Sequence, residues 1–135
     1  MNAAILTNEF PPEIYGGAGI HVKFLTQELA KLCHVEARCF GVQDEDKDNI
    51  RAIGVSRKLG LNPHDDRFQK IFKPLDINLQ WAAALDNIDV IHCHTWYSHF
   101  GGVLASRLLQ CPLILTTHSL DPHRPWKAEQ LGDGG

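Results

Sequence analysis

Ala3-Ala4-Ile5-Leu6-Thr7, then Asn8-Glu9-Phe10-Pro11-Pro12-Glu13-Ile14-Tyr15-Gly16-Gly17-Ala18-Gly19, is the stretch that decides the fold. The first five residues are a short apolar run ending at polar Asn8 and Glu9, which predicts a buried strand. The prolines and paired glycines that follow predict a loop. Beyond it, Val22, Leu25, Leu29 and Leu32 recur at helical spacing, with Lys23, Gln27 and Lys31 on other faces. A second strand, Val35 to Phe40, comes directly after. Strand, glycine loop, helix and strand make a βαβ unit, whose two strands run parallel with a right-handed crossover.

Further along, the pattern weakens and then returns. Gly41 to Asn49 is acidic and predicted as a loop, and Ile50 to Val55 as a third strand. Arg57 to Lys73 carries too many charges and too little period to assign. Leu75, Leu79 and Leu85, with Trp81 and Ala82 to Ala84, predict a helix starting after Pro74. Asp89 to His94 reads as a strand, Phe100 to Gln110 as a helix, and Leu113 to His118 as a strand opened by Pro112. Gly101, Gly102 and Ala105 on that helix allow a neighbouring element to approach closely. The alternation predicts an α/β fold: a Rossmann-like, doubly wound parallel sheet with helices on both faces.

Composition sets the class. The chain has 135 residues, 44% apolar and 21% charged, the balance of a globular domain with room for one core. A net charge of −3 excludes a strongly basic chain built to coat nucleic acid. No apolar run has the roughly 18 residues that cross a bilayer, and the start lacks a secretory leader. The expected location is cytoplasmic, with neither nucleic acid nor membrane as partner. Cys33, Cys39, Cys93 and Cys111 form no CxxC pair and read as reduced, buried small residues. Cys33-His34 with Cys39 is too loosely spaced for zinc. The chain closes on Leu131-Gly132-Asp133-Gly134-Gly135, which has the look of a loop cut short.

In an open parallel sheet, ligands bind beyond the carboxyl ends of the strands. Here those ends deliver Tyr15-Gly16-Gly17-Ala18-Gly19, His94-Thr95-Trp96-Tyr97 and His118-Ser119 to one edge. The glycine loop opens a helix whose first amides lack internal partners, so it is a candidate phosphate cradle. It has neither the GxGxxG nor the Gly-Lys-Ser/Thr pattern, and a turn needed only for packing explains it as well. His92 and His94 point to the same face of their strand. His94, at the strand end, is expected to reach a ligand, and His92 to be buried and hydrogen-bonded. Such a pair also opens the metal site of amidohydrolase barrels, although a barrel needs about 200 residues or more. Trp96 and Tyr97 are either a stacking surface or core. Arg124 and Lys127 hold a phosphate or carboxylate, or simply make an exposed basic loop. No serine sits in a GxSxG elbow and no cysteine has a thiolate setting, so positioning and charge stabilisation are the expected chemistry.

Asn8-Glu9-Phe10-Pro11-Pro12…Tyr15-Gly16-Gly17-Ala18-Gly19-Ile20-His21-Val22, Asp89 to Trp96, Thr116 to Leu120, and Arg124 to Gly132 together resemble the N-terminal domain of bacterial glycogen synthases. The likeness is closest to the shorter type related to maltose-1-phosphate synthases, retaining glycosyltransferases of the GT-B fold. It implies a two-domain enzyme moving glucose from ADP-glucose or UDP-glucose, with retention and without a metal or other cofactor, onto an α-1,4-glucan or glucose-1-phosphate in glycogen synthesis. On this likeness residues 1–135 are the acceptor-side Rossmann-like domain, cut short, with the nucleotide-binding C-terminal domain absent and the fragment alone inactive. It assigns His94 to the transferring sugar and its developing positive charge, and Gly16 and Gly17 to the donor diphosphate. Thr95, Trp96, His118 and Ser119 would line the cleft floor, Glu9 and Tyr15 would border the acceptor channel, and Arg124 and Lys127 would meet a sugar phosphate. Many glycogen synthases carry a lysine where this chain has Ile14, and a further glycine and aromatic where it reads Gly132 to Gly135. The alternative is a non-catalytic sugar- or nucleotide-binding module derived from the same fold.

Overall fold

The structure, a computed structural model, describes residues 1–119. Its elements are β1 (Asn2–Leu6), α1 (Gly17–Leu29), β2 (His34–Phe40), β3 (Asp44–Lys47), β4 (Ile50–Val55), α2 (Gln69–Ala84), β5 (Val90–His94), α3 (Trp96–Leu109) and β6 (Leu113–Thr116). They build one six-stranded sheet in the order β3-β4-β2-β1-β5-β6. All neighbours run parallel except β3, which pairs antiparallel with β4.

Central strand β1 is apolar along its length because both its faces are covered. Ala3 and Ile5 join Val22, Val35, Ala37 and Cys39 in the core beneath α1. Ala4 and Leu6 join Ile77, Trp81, Ile91, Cys93 and Ala105 in the core beneath α2 and α3. Helices thus cover both faces, as the sequence predicts. The chain leaves β1 in one direction through α1, β2 and β4, then crosses by α2 to β5 on β1's other side. The switch point of such a sheet lies between the carboxyl ends of β1 and β5.

Three expectations are corrected. The acidic segment is a strand: Lys47-Asp48-Asn49-Ile50 is a two-residue hairpin with positive φ at Asp48 (53°) and Asn49 (64°), the geometry that suits strand twist. Helix α2 begins at Gln69 and runs through Pro74, which costs it one backbone hydrogen bond without ending it. Helix α3 begins at Trp96, so Trp96 and Tyr97 lie in its first turn and not in a preceding loop. The glycines of α3 behave as expected: the Gly101 N–H donates to Asn78 Oδ1 of α2 at 2.5 Å, and Gly102 lies against Cys93. No helix among the described residues is long and apolar enough to cross a membrane.

Candidate active site

The switch point is where the sequence-predicted residues meet. Thr95 joins the two sides of the crevice, its Oγ1 donating to Asn8 Oδ1 at 3.2 Å and its N–H to the Thr116 carbonyl at 2.9 Å. To pass abruptly from β5 into α3, Thr95 takes φ 68° and ψ 160°, a conformation costly for a β-branched residue. Strain of this kind, of order 1–3 kcal/mol, persists where surroundings over-determine it.

On the β1 side, Glu9 clasps the glycine loop. Its Oε2 accepts the N–H groups of Tyr15 and Gly16, each at 2.9 Å. Gly19 makes the clasp possible: a Cβ there would stand 2.7 Å from Glu9 Oε2 and 2.9 Å from Glu9 Cβ. Gly17 faces open space, and nothing lies within 4 Å of the position its Cβ would take. The Glu9 carboxylate therefore takes the amides just before α1. The first amides of the helix itself, from Gly17 to Gly19, are the ones an external anion would address. Tyr15 is 79% exposed above this loop.

Facing α1 across the crevice is a stack of imidazoles. His92 and His94 share a face of β5, ring centroids 4.1 Å apart. His94 Nδ1 lies 2.9 Å from His118 Nε2, and the His21 ring, four residues into α1, is 5.6 Å from His94 and 5.2 Å from His118. His94 thus lies on the same side of the sheet as the paired glycines. Exposure is the reverse of expectation: His94 is fully buried (0%), whereas His92 is half-buried and bonds Thr116 Oγ1 at 2.8 Å. His94 is the floor of the cleft, roofed by exposed His21 and His118, because β6 extends its chain over the end of β5.

Burial, followed by the neighbouring imidazoles His92, His118, His21 and His99, pushes the His94 pKa down to about 3. Burial also lowers His92, His99 and His118, with Glu9 partly opposing the change at His118. These four rings are consequently uncharged at neutral pH and act as hydrogen-bonding groups rather than cations. His94 Nε2 is buried and has no hydrogen-bond partner among the described residues.

Two surfaces flank the stack. Trp96, 55% exposed, stacks on Tyr97 at 4.1 Å, and both border a small hollow with Pro74 and Phe100. Beyond the ends of β1, β2 and β4 lies a cavity of about 300 Å³ lined by Asn8, Tyr15, Phe40, Ser56, Arg57 and Lys73. Arg57 and Lys73 fall in the stretch that periodicity left unassigned. The signal that finds Arg57 is position, since it follows β4 directly at a strand's carboxyl end. Its loop is fixed by buried Asp76, which accepts the N–H groups of Lys58, Leu59 and Gly60 at 3.2, 3.1 and 3.0 Å. Ser119 is half-buried beside His118, and Arg124 and Lys127 lie outside the described residues.

Comparison with known proteins gives this geometry a context. Residues 15–133 match Glycosyltransferase Family 4. The chain is 42% identical over 135 residues to alpha-maltose-1-phosphate synthase of Mycolicibacterium smegmatis, covering 99% of this chain but 32% of that protein. It is 22% identical over 157 residues to glycogen synthase of Mycobacterium tuberculosis, covering 97% of this chain and 37% of the relative. The chain thus spans about a third of the length of these relatives. Among solved structures, sucrose-phosphate synthase from Thermosynechococcus elongatus superposes with a TM-score of 0.67 at 20% identity, over 98% of this chain and 36% of that one. The mostly parallel sheet has the GT-B glycosyltransferase fold. With its family pattern running from the glycine loop past the last described strand, this chain belongs to glycosyltransferase family 4.

Proposed function

We propose that residues 1–135 form the acceptor-side half of a retaining glucosyltransferase. The donor is ADP-glucose or UDP-glucose, and the acceptor is glucose-1-phosphate in preference to an α-1,4-glucan. The observation that supports the reading is that the Gly17 amide edge, the His94 imidazole and the Arg57–Lys73 cavity all lie along the carboxyl edge of one sheet. The first suits the donor diphosphate. Uncharged His94 suits a sugar hydroxyl at the reacting ring, where a neutral imidazole accepts or donates a hydrogen bond without opposing developing positive charge. The cavity is large enough for a hexose and offers Lys73, with Arg57 beside it and the Glu13 carboxylate on the same lining, to an acceptor phosphate. Thr95, Trp96, His118 and Ser119 line the floor, with Glu9 setting the glycine loop and Tyr15 bordering the acceptor side. Arg124 and Lys127 stand as additional phosphate contacts.

Transfer itself requires the nucleotide to be held from a second domain, so the chain alone should bind acceptor and not turn over. Calorimetry with glucose-1-phosphate, maltooligosaccharide, ADP-glucose and UDP-glucose tests this. Binding of glucose-1-phosphate with weak or absent donor binding supports the reading. Tight binding of an intact donor by the lone chain favours a non-catalytic nucleotide-sugar module. Turnover by the lone chain that disappears in His94→Ala would refute the claim of inactivity.

A further inference from the structure

Three imidazoles from three separate elements meet at the cleft floor: His21 of α1, His94 of β5 and His118 just past β6. One ring nitrogen of each lies within 4.8 Å of the other two. We propose that this triad is a reversible binding site for a divalent transition metal ion of the zinc type, with no fourth ligand among the described residues. The inference goes beyond the transfer reaction and does not depend on it.

The geometry supplies one fixed arm and two movable ones. His94 is fully buried, with the His92 ring 4.1 Å away and tilted 38° to it. His21 and His118 are exposed, so a small side-chain rotation of each closes the triad. Ligand nitrogens about 2.0–2.1 Å from a tetrahedral ion stand roughly 3.3 Å from one another. The His94 Nδ1 to His118 Nε2 separation of 2.9 Å is already close to that. In the metal-free pair a single proton occupies that contact. Exposed His118 can carry its proton on its other nitrogen, and a small turn of its ring then brings both lone pairs onto one ion.

Coordination takes each imidazole in its neutral form, so capture competes with protons. The donor set also decides which ion binds. Three imidazoles without a carboxylate suit zinc, cobalt, nickel or copper, and offer nothing that magnesium or calcium prefers. Three protein ligands with one open position is the pattern of an accessible site, not a closed structural one. An ion on His94 Nδ1 fixes the ring proton on Nε2, which ends that atom's capacity to accept a hydrogen bond.

The test is a cobalt titration of the metal-stripped, reduced chain at pH 7.5, followed by displacement with zinc. One equivalent should bind with an affinity on the order of 10 µM, developing the visible absorption of four-coordinate cobalt, while magnesium produces no change. His21→Ala and His118→Ala, both at exposed positions that spare the core, should each weaken binding at least about tenfold with unchanged circular dichroism. His34→Ala with His64→Ala should leave it unaltered. Absence of the visible band, unchanged affinity in the triad variants, or a near-ultraviolet thiolate band pointing to the cysteines would each overturn the assignment.

Discussion

Asn78 of α2 and Gly101 of α3 are joined where the two helices touch: the Gly101 N–H donates to Asn78 Oδ1, while Asn78 Nδ2 donates to the carbonyls of Pro74 and Tyr97. One buried amide thus stitches the helix that enters the site to the helix that leaves it. A Cβ on Gly101 would lie 2.8 Å from Asn78 Oδ1 and 3.1 Å from Asn78 Cα. Gly101→Ala should therefore cost about 2 kcal/mol in urea denaturation. Asn78→Ala should cost a similar amount by leaving the Gly101 N–H unpaired. The double variant should lose less than the sum, since Asn78→Ala removes the Oδ1 that the new methyl would meet.

The glycines of the loop separate by role. Gly19→Ala collides with Glu9 and with Ile14 Cγ2 at 3.0 Å, so it should lower the thermal midpoint and loosen the loop, at a cost of about 1–2 kcal/mol. Gly17→Ala meets open space and should leave the midpoint within about 1 °C of the parent. If Gly17 is there for close approach of a phosphate, its methyl should nonetheless weaken pyrophosphate binding several-fold. A Gly17→Ala chain with normal stability and normal anion affinity would assign the paired glycines to packing alone.

How far the sequence carried the reading depends on where each element buries its residues. β1, β2, β5 and the start of α1 are legible because their burial on both sides of one sheet leaves apolar runs or helical spacing behind. β3 is illegible by that criterion, because Asp44, Glu45, Asp46 and Lys47 are all exposed at the sheet edge. Its only local mark is the Asp48-Asn49 turn, which reads as loop unless positive φ at both residues is considered. The three site segments follow from the carboxyl-end rule. That His94 lies beneath the other two imidazoles does not, since burial there depends on β6 lying alongside β5, a long-range pairing with no local signature. Arg57 and Lys73 escaped because charge without period says nothing about which charges face a cavity.

Acid should destabilise the fold through the histidines. The folded-state pKa values of His92, His94, His99 and His118 lie below their ordinary value of 6.5, with His94 near 3. The unfolded chain therefore binds more protons than the folded one below pH 6.5, and stability rises with pH across that window. The contribution is complete above about pH 7 and is lost progressively as pH falls toward 3. The thermal midpoint should drop between pH 7 and 5, where most carboxylates have yet to protonate. His94→Gln, which cannot charge, should flatten that slope even if it lowers the midpoint at neutral pH.

Asp76 should reinforce this trend, at lower pH only. Burial raises its carboxyl, but the N–H groups of Leu59 and Lys58, the Gln80 side chain and the Gly60 N–H outweigh that effect and hold it below the usual carboxylate range. Its support is present above about pH 4 and disappears as pH falls through the depressed value. Asp76→Asn retains one acceptor oxygen and should cost less than Asp76→Ala, which strands three amides and should cost about 2–3 kcal/mol. Because the Asp76 Oδ2 also lies 3.7 Å from Arg57 Nε, both variants should weaken whatever Arg57 holds.

Lys73 offers the cleanest separation of the two proposed acceptors. It lies exposed on α2 at the cavity mouth, with no hydrogen bond or ion pair to another described residue, so its removal should leave stability unchanged. Lys73→Ala should weaken glucose-1-phosphate binding about five- to tenfold, equivalent to about 1–1.4 kcal/mol, and increasing salt should reduce that difference. Maltooligosaccharide carries no charge for the ammonium to meet, and its affinity should be indifferent to both substitution and salt. If Lys73→Ala weakens both ligands equally, the cavity recognises the hexose ring and not the phosphate. If it weakens neither, the acceptor lies elsewhere along the crevice, against Trp96 and Tyr97.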